Sequence, residues 1–186
     1  LMDRSTADVA WFTDALIRFL GIRFTVPYER SVDLDPADWK RPVWCPGGRM
    51  NITASCLDRW IEDEDTAQRL ALIAELEDGQ IREFSYAELA AQVSRCANGL
   101  RELGLGVGDR IGLYLPMTWQ NAVALLAIAR IGGIALPLFS GFGTGAVQQR
   151  LEDAEAQALI TADGFHRRGK VVPLKPQADA AVDDVP

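Results

Sequence analysis

Apolar residues first recur with a helical period between positions 3 and 20, where Trp11, Ala15, Leu16 and Phe19 fall on one face and Gly21 follows as a stop. The pattern predicts a short amphipathic helix. From Ile22 to Gly48 the period is lost. Pro27, Pro36, Pro42 and Pro46 punctuate the stretch, with Tyr28, Trp39 and Trp44 between them. Such a segment lacks a core face and is expected to lie across another surface, packing through its rings. A helix is expected near Cys56 to Trp60, followed by a solvated acidic turn from Glu62 to Asp65.

"LALIAELEDGQIREFSY" predicts two strands joined across Asp78-Gly79, a hairpin signal. Ser85 and Glu88 then stand three apart, as in a capping box that satisfies the free amides of a helix start. The helix they open carries Leu89, Val93, Cys96, Leu100 and Leu103 on one face and stops at Gly104. Cys96 on that stripe reads as core packing.

"IGLYL" predicts a strand with Ile111, Leu113 and Leu115 on one side, closed by Pro116. Trp119 to Ile131 is helical and apolar nearly all round, which predicts deep burial. "IALPLF", a glycine loop, a helix with Val147, Leu151 and Ala154 on its face, and "ALITAD" complete a strand–helix–strand–helix–strand alternation. That order implies an α/β fold with a mostly parallel βαβαβ sheet and right-handed crossovers. "KVVPLK" predicts one more short strand. The last ten residues, acidic and alanine-rich, are expected to bury little.

Composition narrows the function. Of 186 residues, 19 are basic and 26 acidic, a net charge of −7. That balance speaks against a general nucleic-acid binder, which relies on excess Lys and Arg. Three separated cysteines, Cys45, Cys56 and Cys96, and a single histidine, His166, give neither a metal-ligand pattern nor a disulfide framework. A self-contained Ser-His or Cys-His hydrolase is equally disfavoured. The most apolar stretch holds Arg130, Gly132-Gly133 and Pro137, which suits a buried helix–turn–strand better than a membrane span. A soluble, cytoplasmic protein is expected, with no membrane and no metal.

Two loops carry candidate chemistry. "LPLFSGFGTGA" has Gly141, Gly143 and Ala146 at the G-x-G-x-x-G/A spacing of a dinucleotide turn, and Asp163 follows about twenty residues later, where such a turn places its ribose-binding acid. Pro137 in the leading strand and the bulky Phe142 fit that reading poorly. "ADGFHRRGK" brings Arg167, Arg168 and Lys170 just beyond the following strand. Both loops lie past strand ends, where parallel sheets bind ligands, so amides of one and cations of the other could border a phosphate crevice. A solvated basic turn is the alternative.

The order of motifs resembles the N-terminal portion of acetyl-CoA synthetase-like enzymes, in the AMP-forming, adenylate-forming acyl-CoA synthetase superfamily. The resemblance runs from about Trp11 to Lys175. It is carried by "RPVWCPGGRMNITASCLDRW", the "YAEL" helix start, "GVGDR", "LPM", "ARIGG", the Phe-x-Gly-Phe loop, and "TADG" followed by Arg-x-Gly-basic. It implies that residues 1–60 are the helix and extended Pro/aromatic segment found at the start of such enzymes. Residues 61–186 would be the first part of the large AMP-binding domain. In these enzymes the glycine loop and the Arg-x-Gly-Arg turn hold coenzyme A, the arginines near its 3′-phosphate ADP moiety. Carried over by position, Gly141 is the backbone contact and Arg167 and Lys170 are the phosphate partners.

Four departures stand out. Ser140 replaces a loop glycine, Lys170 an arginine, Trp60 the histidine of a D-R-H element, and Gly143 a serine. Together they leave room for an acid other than acetate. The family's Ser/Thr/Gly-rich ATP loop ending in Pro-Lys-Gly does not occur here, nor does its adenylation lysine. The resemblance therefore implies a fragment without catalytic residues of its own, inactive alone and holding no cofactor tightly. Its parent would use ATP with Mg2+, coenzyme A and a small carboxylic acid, and the fragment's partner would be the rest of the synthetase chain. An NAD(P)-binding domain and a non-catalytic interaction module remain as alternatives.

Overall fold

The computed structural model describes residues 2–35, 40–77 and 79–183. Pro36, Trp39 and Asp78, named above, lie outside them. The chain divides into two compact units, Leu1–Cys56 and Leu57–Pro186.

In the first unit the expected single helix is two, α1 (Met2–Ala7) and α2 (Val9–Leu20). The break is Asp8, whose carboxylate accepts the Trp11 amide at 2.9 Å and so caps α2. Gly21 ends α2 as expected. The irregular segment contains a minimal antiparallel pair, β1 (Val32–Asp33) with β2 (Val43–Trp44), and a lone bridge between Val26 and Arg49. Ring packing holds part of it. Phe24 and Tyr28 meet edge-on at 5.0 Å, and the Tyr28 hydroxyl donates to the Asp14 carboxylate at 2.7 Å. Trp44 stays more than half exposed. The short α3 (Ile52–Cys56) closes the unit.

The second unit opens with a 3-10 turn, Asp58–Ile61, so the helix expected near Cys56 to Trp60 is split around Leu57. The acidic run is more than a solvated turn: Asp63 accepts the Thr66 amide and starts α4 (Glu64–Ala67). The hairpin is present as β3 (Leu70–Glu75) and β4 (Ile81–Ser85), antiparallel with a bulge between Leu70 and Leu72. Ser85 and Glu88 form the expected capping box at the start of α5 (Tyr86–Glu102). The buried stripe of α5 runs through Leu89, Val93, Ala97 and Leu100. Cys96 lies at its half-buried margin, where burial pushes its thiol pKa up, and Leu103, expected on the stripe, is exposed beyond the last turn.

The alternation that follows is β5 (Arg110–Tyr114), α6 (Trp119–Ile131), β6 (Ile134–Pro137), α7 (Thr144–Asp153) and β7 (Ala158–Thr161). The three strands are parallel, in the order β6–β5–β7. Central β5 is buried on both sides, and its alternating side chains divide the core. Ile111, Leu113 and Leu115 join α5 and α6, while Tyr114 joins Leu138, Val147 and Leu151 toward α7. Pro137, at the end of β6, occupies an edge strand of this sheet, the place where a missing amide is tolerated. α6 is not buried all round: Leu125 on its outer side is 44% exposed. An apolar helix with no polar stripe gives periodicity nothing by which to find that side.

Beyond β7 the chain forms an antiparallel pair, β8 (Gly164–Arg167) and β9 (Lys170–Pro173), and then α8 (Lys175–Val182). The expectation that this end buries little is corrected. Ala178 and Ala181 are buried in the second core cluster beside Leu174 at the start of α8, because alanines three apart let α8 lie close against α7. Among the described residues, no helix is long and apolar enough to cross a membrane.

Candidate functional site

The sheet's connections diverge at the carboxyl ends of its strands. β5 leads to α6 on one face, and neighbouring β6 leads to α7 on the other, which opens a crevice between their loops. A cleft of about 660 Å³ lies there, walled by Pro116 and Trp119 after β5, Ser140 after β6, Ala162 after β7 and Arg167 on β8. Glu75 and Glu77, from the end of β3 and the loop after it, complete its rim.

The glycine loop is fixed from beneath. Tyr114 is fully buried, and its hydroxyl donates to the Phe142 carbonyl at 2.6 Å and lies 3.1 Å from Oε1 of Gln177. Burial pushes this phenol above its ordinary pKa of about 10. The Arg150 guanidinium sits 4.3 Å over the Phe142 ring, which meets Phe139 edge-on at 5.6 Å. Gly141 leaves room for the exposed Phe139 ring: a Cβ there would fall 2.5 Å from its Cε1, and the ring would have to shift. Gly143 is the N-cap of α7 and offers no side-chain acceptor, so the loop delivers a helix start that its cap residue does not cover with a side chain.

The basic turn is the tip of a hairpin. Arg167 and Lys170 are register partners across β8 and β9, and the two residues between them, Arg168 (φ 52°) and Gly169 (φ 74°), are both left-handed. This is the two-residue, positive-φ connection that suits the twist of paired strands. Arginine in place of the usual Asn or Asp hides it from a reading of turn residues, which is why β8 was not expected. All four tip residues, Arg167 to Lys170, are exposed.

Of the sequence candidates, Arg167 lines the cleft, Lys170 stands beside it on the next strand, and Gly141 adjoins the cleft residue Ser140. The dinucleotide reading does not survive the topology. Its loop follows β6, the second strand of the sheet and an edge, whereas a Rossmann turn follows the first. Asp163 takes a backbone role, its carbonyl accepting the Leu174 and Lys175 amides at 2.9 and 3.2 Å. Trp60 stacks on Tyr86 at 5.4 Å, with the Arg59 guanidinium 4.4 Å from its ring centroid. Sequence reasoning missed Tyr114, Trp119 and Glu77. The first two read as plain core or helix-start residues, and Glu77 gave no local signal. Among the described residues, no three His, Cys, Asp or Glu side chains cluster as a metal site.

The comparisons with known proteins agree with one another. The family model described as "AMP-binding enzyme" matches residues 59–185. Acetyl-coenzyme A synthetase of Thiobacillus denitrificans is 41% identical over 182 residues, covering 98% of this chain and 27% of that protein. Its counterpart in Streptomyces coelicolor is 43% identical over 149 residues, 78% of this chain and 23% of that protein. Among solved structures, acetoacetyl-CoA synthetase from Streptomyces lividans superposes with a TM-score of 0.87 at 29% identity, covering 99% of this chain and 28% of that one. The chain thus spans about a quarter of the length of the relatives it matches.

Proposed function

The chain belongs to the AMP-binding enzyme family, and we propose that it is the N-terminal portion of an AMP-forming acyl-CoA synthetase whose coenzyme A site it helps to build. In such a synthetase a small carboxylic acid is joined to the thiol of coenzyme A in an ATP-dependent reaction that releases AMP and pyrophosphate. The observation that carries the reading is a juxtaposition. A cation-bearing hairpin tip and a glycine loop, far apart in sequence, flank one cleft at the carboxyl edge of the sheet.

The residues present fit the nucleotide end of the coenzyme. Arg167 offers a planar fork of donors to a phosphate, and Lys170 beside it adds a mobile point charge. The backbone around Gly141, held by Tyr114 and Phe142, offers a fixed approach for a flat group, and the start of α7 offers a partly positive end. The lysine at 170 makes phosphate binding less directional than two arginines would. For ATP and Mg2+ the fit is lacking: the described residues form no acidic cluster, and the sequence holds no Pro-Lys-Gly phosphate loop. Activation of the acid is therefore assigned to no residue of this chain, and alone it is expected to catalyse neither half-reaction.

The test is kinetic. In the synthetase containing this chain, the double variant Arg167→Glu, Lys170→Glu should raise KM for coenzyme A at least tenfold, while acid-dependent ATP–pyrophosphate exchange stays near wild type. Collapse of that exchange with an unchanged KM for coenzyme A would sink the assignment.

A further inference from the structure

The hairpin tip carries a conformational problem that another part of the chain addresses. Arg168 holds a left-handed backbone at φ 52°, a region that favours glycine and strains a residue with a Cβ. Its amide donates to Oε2 of Glu77 at 3.1 Å, across a separation of 91 residues. Glu77 lies in the loop between β3 and β4, which is closed by the Leu76 amide to the Gln80 carbonyl and the Gly79 amide to the Leu76 carbonyl, each at 2.9 Å. Glu77 and Arg167 both line the same cleft.

We propose that Glu77 is a positioning residue: its carboxylate holds the Arg168 amide, and so fixes the turn that presents Arg167 and Lys170 to the phosphates of coenzyme A. The proposal rests on the coenzyme A reading of the cleft for its ligand, though not for its geometry. A charge-assisted bond to the backbone acts on the turn itself, so both flanking cations are set by one contact. Arg167 and Lys170 are paired strand residues, and loosening the turn between them frees both.

The placing of a negative charge beside a cationic, anion-binding tip makes the proposal easy to contradict. If Glu77 acted only through its charge, removing it would strengthen anion binding. If it positions the turn, Glu77→Ala weakens binding despite the gain in positive potential. Glu77→Gln keeps an acceptor for the amide and binds at least as well as wild type. Arg168→Gly relaxes the left-handed strain, so Glu77→Ala with Arg168→Gly recovers affinity.

The experiment uses the synthetase that contains this chain, isotopically labelled, with two readouts. The first, without ligand, is hydrogen exchange of the Arg168 amide, expected to speed up about fivefold in Glu77→Ala and little in Glu77→Gln. The second is titration with coenzyme A followed by amide shifts, expected to weaken about fivefold in Glu77→Ala and to recover in the double variant. Unchanged exchange in Glu77→Ala, or equal or tighter binding by it, overturns the positioning role. No shift in wild type, with faster exchange in Glu77→Ala, overturns the coenzyme A reading and leaves the clamp standing.

Discussion

The two loops that flank the cleft are built on opposite principles. The glycine loop at 139–143 rests on the core, with a fully buried tyrosine beneath its carbonyl and an arginine over its ring. The hairpin tip at 167–170 is exposed, and among the described residues its turn is held from outside its own hairpin by a bond from its Arg168 amide to Glu77. A loop that offers backbone to a ligand needs no mobile side chain and can be fixed by the core. A loop that offers charge must keep its side chains in water, so it can be held only through its own backbone. Scaffold changes should therefore separate the two by stability, and tip changes by binding alone.

The largest expected contrast is Tyr114→Ala against Arg167→Ala. The first empties a filled site under the glycine loop and should cost about 3–5 kcal/mol in chemical denaturation. The second should leave the midpoint unchanged while weakening coenzyme A binding. Equal midpoints for the two variants would remove the distinction between the loops.

Tyr114→Phe is a finer probe, because it deletes only the hydroxyl that meets Phe142. A loss of about 1 kcal/mol is expected near neutral pH. The folded-state pKa of Tyr114 is raised, so folding favours the neutral phenol. Its contribution is complete below the unfolded value of about 10 and is lost as pH rises through the folded value. The stability gap between wild type and Tyr114→Phe should thus narrow in alkali. A gap that widens would mean that the hydroxyl is not buried as described.

The smallest effect expected is at Gly143, where α7 starts without a side-chain cap. Gly143→Ser restores an acceptor for an end amide and should stabilise by a few tenths of a kcal/mol in thermal unfolding. A larger gain would show that the glycine loop is less firmly held than its contacts imply.

The alternation from β5 to β7 was readable because buried strands and helices of distinct length, split by glycine and proline, leave little choice of class. The capping box was equally plain, since its chemistry lies within four residues. What escaped was set at a distance or disguised by an unusual residue. α8 buries through alanines, which carry too little hydrophobic weight to mark a core face. β8 was hidden because Arg168 occupies a position that usually announces itself with Asn or Asp. Of the site, Arg167 and the glycine loop were within reach of motif and spacing. Glu77 was not, because no periodicity relates residues 91 apart. The dinucleotide spacing stayed open as an alternative because a loop after any parallel strand can carry two glycines, and only the order of strands tells which it is.

The central claim is that both loops border one phosphate-binding crevice, and the most direct measurement is a titration of the synthetase containing this chain, labelled in both loops, with coenzyme A and with its analogue lacking the 3′-phosphate. The account predicts that coenzyme A shifts amides in both 139–143 and 167–170, that the analogue binds more weakly, and that Arg167→Glu with Lys170→Glu abolishes the difference. Shifts confined to one loop, or equal binding of the two ligands by wild type, would contradict it.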